Sequence, residues 1–159
     1  MKHLVGDTTG LIHLIASCLA LISGTMILGF KKGTALHKKI GYVYVVSMGV
    51  LIITAFMIFR LFGGWGIFHY TTLVSLVTIL LGMVPIWTKR PINKWQNLHF
   101  SFMYWSVMGL YAAFVAEILT RVPETPFFSM VGISIAIIMI IGGICFGIKS
   151  KKWEKMFPS

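Results

Sequence analysis

Acidic side chains are nearly absent from this sequence. The 159 residues include four, Asp7, Glu117, Glu124 and Glu154, against 14 lysines and arginines. Only 11% of residues are charged and 57% are hydrophobic, far from the balance of a soluble domain. Cysteine is scarce as well. Cys18 and Cys145 lie far apart inside apolar runs, so they are expected as buried small residues rather than as a disulfide. There is no glycine-rich phosphate loop, no nucleophile elbow and no cysteine pair at metal-ligand spacing, which removes the usual soluble-enzyme signatures.

What the chain does have is long apolar runs. Each is about 20 residues, enough for a helix to cross roughly 30 Å of hydrocarbon. The predicted spans are Gly10–Phe30, Ile40–Phe62, Ile67–Trp87, Leu98–Leu119 and Pro126–Ile148. Backbone groups in lipid must pair within their own segment, so each span is expected to be a helix. The expected fold is an all-α integral membrane protein, a four-helix transmembrane bundle plus a fifth transmembrane helix, with residues 1–159 as a single domain. The first run is too long for a signal-peptide core and lacks a small-residue cleavage pattern, so it is expected to be retained. Phe62-Gly63-Gly64-Trp65-Gly66 reads as a turn with an interfacial aromatic, and Pro91 and Pro123 mark loops.

The net charge is +10, and its placement points away from nucleic acid. Lys31, Lys32, Lys38 and Lys39 fall between the first and second runs, Lys89, Arg90 and Lys94 between the third and fourth, and Lys149, Lys151, Lys152 and Lys155 after the fifth. Basic connections on alternate sides place those loops in the cytoplasm. The N-terminus is therefore expected outside and the C-terminus inside, with Arg60 the main dissenter. The expected environment is the lipid bilayer of the cell membrane.

Four of the five histidines stand at the ends of apolar runs. His13 opens the first, His37 precedes the second, His69 opens the third and His99 opens the fourth. Ionisable residues at such places are functional candidates; His3 belongs to the short outer tail. The first four helices also read as a duplicated hairpin. His13 is followed by a helix, Gly24, Lys31-Lys32 and Leu36-His37. His69 is followed by a helix, Gly82, Lys89-Arg90 and Leu98-His99. Two such hairpins give an outer pair, His13 with His69, and an inner pair, His37 with His99. From His13 to Lys31 is roughly 27 Å of helix, so the two layers lie at different depths.

A haem needs two axial imidazoles and an apolar slot, and no carboxylate. The expected cofactors are two b-type haems, and Gly24, Gly49, Gly82 and Gly109 are candidates for making room for the macrocycle. The expected function is transmembrane electron transfer, with a quinone or small-molecule reductant as the partner. The alternative is a membrane enzyme with a zinc or iron ion held by His13, His69 and Glu117. Glu117 is 18 residues from His99, a whole number of helical turns, so both are expected on one inward face with Met103, Ser106 and Leu110. Glu117 can instead pair with Arg121, four residues on. A third reading is a structural or regulatory subunit without cofactor. In the fifth helix, Gly143-Ile144-Cys145-Phe146-Gly147 has a small-xxx-small spacing that suits close packing within the monomer or a homodimer contact.

The stretch from His13 to Gly41, with Leu36-His37-Lys38-Lys39-Ile40-Gly41 at its end, resembles the first haem-ligand hairpin of the ascorbate-reducible transmembrane cytochromes b, and His69 with His99 resembles the second. The resemblance implies two b haems held by alternate helices, His13 with His69 and His37 with His99, over about the first 120 residues. Glu117 is outside that pattern, and five helices differ from the six usual there. Lys32-Gly33, His37-Lys38-Lys39-Ile40-Gly41 and Ala116-Glu117 also resemble a group of bacterial membrane proteins of unknown function, which implies no particular activity.

Overall fold

In the computed structural model, which describes residues 7–59, 63–92, 94–120 and 126–156, all regular structure is helical and no strand occurs among those residues. The helices are α1 (Thr8–Gly29), α2 (Ala35–Met57), α3 (Ile67–Thr88), α4 (Trp95–Leu119) and α5 (Phe127–Met156). All five are long and apolar enough to cross a membrane. Their outward surfaces are apolar too: Ile22, Val46, Val74, Ile140 and Ile148 are all exposed. Apolar side chains exposed along membrane-length helices are unfavourable in water and favourable against lipid.

Local capping chemistry sets several helix ends. The Asp7 carboxylate accepts from the Gly10 N–H at 2.7 Å and starts α1. At its far end Lys32 Nζ donates to the Ile27 and Leu28 carbonyls at 2.6 and 3.0 Å, satisfying acceptors that have no partner within the helix. Thr34 Oγ1 accepts from the His37 N–H at 3.1 Å and starts α2 at Ala35. The sequence reading placed this span at Ile40–Phe62, and the helix instead begins five residues earlier. The reason is that a threonine cap, not the end of the Lys38-Lys39 pair, sets the first turn. His37 therefore lies inside α2 rather than before it. Before α3, Gly63 takes φ +63°, the left-handed conformation that glycine adopts without strain. The α5 helix runs past its apolar stretch to Met156.

The chain divides into two compact units, residues 1–76 and 77–159. In the first, α1 and α2 pack antiparallel. The buried positions of α1 are Ala16, Ala20, Ser23, Gly24 and Ile27, a stripe at helical spacing in which small residues let backbones approach. The buried face of α2 carries Tyr44, Ser47, Met48, Ile52 and Thr54.

In the second unit α4 packs antiparallel against α5. Tyr104 Oη donates to the Gly142 carbonyl at 2.7 Å, and Trp105 and Phe146 lie ring to ring at 5.7 Å. Gly142 makes the close approach: a Cβ there would stand 3.0 Å from Met108 Cγ. Gly147, half of the spacing noted in the sequence, is exposed and has open space where a Cβ would stand. Cys18 and Cys145 are both free thiols, the former exposed rather than buried.

Candidate functional site: histidines at the helix ends

Each candidate histidine lies in the first turns of its helix, so the start of each helix sets where its imidazole stands. In the first unit, His13 Nδ1 is 2.9 Å from Thr54 Oγ1. That hydroxyl spends its proton on its own helix, at Val50 O (2.8 Å) and Leu51 O (3.0 Å). With its proton held there, it accepts from His13, and Nδ1 carries the imidazole proton. The neutral ring then has its lone pair on Nε2, the tautomer of a metal-ligating histidine.

His69 has the opposite arrangement. It is the third residue of α3, and its own N–H donates to the Gly66 carbonyl at 3.0 Å. In return the Gly66 N–H donates to His69 Nδ1 at 3.2 Å. This is a reciprocal cap, with a histidine where Glu or Gln usually stands. A backbone N–H can only donate, so Nδ1 has no proton and the neutral ring carries it on Nε2. His69 is 4% exposed, and its Nε2 is buried with no hydrogen-bond partner among the described residues. Phe59 stacks on the ring at 4.8 Å, with Trp65 at 5.4 Å and Phe56 at 6.4 Å.

His13 and His69 thus both meet the C-terminal end of α2, at Thr54 and at Phe56 with Phe59. That is one level of the first unit. Thr54 and Phe56 are two residues apart, about 200° around a helix, so the two histidines contact different sides of α2. His37, in the same unit, is half-buried in the first turn of α2.

In the second unit His99 Nδ1 is 2.8 Å from the Gly82 carbonyl. A carbonyl can only accept, so Nδ1 carries the proton and Nε2 the lone pair. The sequence reading assigned Gly82 to making room for a macrocycle. Here its bare backbone admits α4 instead. A Cβ on Gly82 would lie 2.8 Å from Met103 Sδ, and Met103 follows His99 by four residues on the same helix face. Pro85, inside α3, has no N–H for the Leu81 carbonyl and loosens that stretch of helix. Gly49 and Gly109 do have open space where a Cβ would stand.

Glu117 is exposed, not turned inward as the 18-residue spacing had suggested. The buried residues of α4 include Met103, Val107 and Leu110 and then Ala112 and Ala116, so the covered stripe passes one residue to the side of Glu117. Among the described residues, no three of His, Cys, Asp and Glu gather to hold an ion. His3, Arg60 and Arg121, the expected partner of Glu117, lie outside the described residues. The sequence reading missed the cap at Gly66 and His69, although a Gly-x-x-His spacing at the start of a span was the signal for it.

Five apolar helices of membrane length, four of them with a histidine near the N-terminal end, define an integral membrane protein. Within that class the chain belongs to the family described as "Predicted membrane protein (DUF2306)", which matches residues 10–147. No curated protein and no solved structure matches it.

Proposed function

We propose that the chain is a transmembrane electron carrier that holds b-type haem through its helix-borne histidines. The observation that carries this reading is the hydrogen bond from His99 Nδ1–H to the Gly82 carbonyl. It orients the ring and fixes the tautomer in which Nε2 is a ligand, with no carboxylate required. The partner imidazole, His37, is taken from the layering in the sequence. Haem bound there supplies one-electron exchange between ferric and ferrous iron. Around it, Gly82 holds the His99 ring by its carbonyl and lets α4 come close.

For a second haem the donors divide. His13 has the ligand tautomer. His69 does not, because its lone pair is on Nδ1 and is already engaged by the Gly66 N–H. His69 does not fit an iron ligand in this ring arrangement, and no role in ligation is assigned to it. Nor, among the described residues, does any gathered donor set favour the zinc or iron enzyme.

Haem extraction from the purified protein tests the reading. Wild type should yield haem, and His99→Ala should lose it while His13→Ala leaves the His99-held haem in place. Wild-type protein that takes up no haem when supplied with it would overturn the proposal.

A further inference from the structure

The His69 ring carries a buried hydrogen-bond donor with no acceptor among the described residues. The Gly66 N–H occupies Nδ1 and fixes the proton on Nε2. That nitrogen is enclosed and has no hydrogen-bond partner among the described residues, and the residue is 4% exposed. A buried imidazole N–H without an acceptor is rare in native proteins, and an absent ligand is one reason for such an exception. What surrounds it narrows the ligand. Phe59 lies parallel to the ring, and Trp65 and Phe56 stand inclined to it. Aromatic faces stack on flat conjugated groups and supply little hydrogen bonding. Phe59 and Trp65 are 40% and 56% exposed, so the rings over the donor border the exterior of the protein. The site is at the N-terminal end of a membrane-length helix, where N–H groups and the helix dipole favour an electron-rich acceptor.

From these features we infer that His69 and the rings of Phe56, Phe59 and Trp65 form a binding site for a lipid-soluble quinone. The Nε2–H donates to a quinone carbonyl, and the aromatic side chains stack on or edge the quinone ring. The ring must be flat to fit beside Phe59, apolar to reach the site from lipid, and tipped by an oxygen acceptor to satisfy Nε2. The inference goes beyond the haem reading and does not require it, since the donor is fixed by Gly66 alone.

The test uses the full chain in detergent micelles, titrated with a short-chain naphthoquinone while tryptophan fluorescence is followed. Partition into micelles quenches without saturation, whereas a site saturates. Wild type should show saturable quenching. His69→Phe keeps a ring and removes the donor, and should weaken binding by about tenfold, the loss expected for one hydrogen bond. His69→Gln is the rescue. A glutamine at this position of a helix start accepts from the Gly66 N–H and still points an N–H outward, so its affinity should stay near wild type. Absence of saturable quenching in wild type, or equal affinity in wild type and His69→Phe, would overturn the inference. So would loss of haem from His69→Gln, because His69 would then be an iron ligand. Saturable, His69-dependent binding in a preparation without haem would support the quinone site while the haem proposal fails.

Discussion

His99 and His69 are both imidazoles near the start of a membrane-length helix, yet their protons sit on different nitrogens. His99 Nδ1–H donates a hydrogen bond to a carbonyl, and His69 Nδ1 accepts one from a backbone N–H. One ring is left a lone-pair donor and the other a hydrogen-bond donor, so residue type alone would have assigned both the same task. His13 resembles His99, and its partner is a side chain that mutation can remove. Thr54→Val keeps the shape and deletes the acceptor for Nδ1–H. It should lower the stability of the purified protein by about 1 kcal/mol, within the range for a lost intramembrane hydrogen bond. Thermal unfolding in detergent measures this, and an unchanged midpoint would mean that the bond carries no weight.

Helices are placed by hydropathy and trimmed by caps, and the two differ in how well they can be read from sequence. The centres of all five spans were legible because a run of apolar residues permits little else in lipid. The ends were less so. The start of α2 was missed because the Lys38-Lys39 pair interrupts the apolar run while Thr34 begins the helix. Replacing Thr34 by Ala should cost about 1 kcal/mol through the lost cap, seen as a lower unfolding midpoint. The end of α5 was missed because its basic tail is polar but still helical. Glu117 was misplaced for a geometric reason: an 18-residue repeat holds a face only if the buried stripe stays straight, and that of α4 shifts toward Ala112 and Ala116. The α4–α5 seam offers a graded test. Tyr104→Phe removes one hydrogen bond to Gly142 and should cost about 0.6 kcal/mol. Gly142→Val forces a side chain against Met108 and should cost about 1–3 kcal/mol. Denaturant titration of the two variants should place them in that order.

At the scale of the whole molecule, an odd number of membrane-length helices predicts termini on opposite sides of the membrane. The basic loops predict a cytoplasmic C-terminus. A reporter fused after Ser159 should be active in its cytoplasmic form and silent in its external one, and the reverse would contradict the predicted orientation. The candidate histidines were legible from sequence because an ionisable group at a membrane-helix end is unusual. Their proton placements were not, because these depend on a hydroxyl, a turn and a glycine carbonyl that only the folded backbone brings to the rings. The central claim is that His99 is a haem ligand and His69 is not. A reduced-minus-oxidised visible spectrum of the purified protein measures it directly, in wild type, His99→Ala and His69→Gln. The account predicts a low-spin b-type spectrum in wild type, retained in His69→Gln and lost from the His99-held haem in His99→Ala. A spectrum that survives His99→Ala intact, or that disappears in His69→Gln, would contradict it.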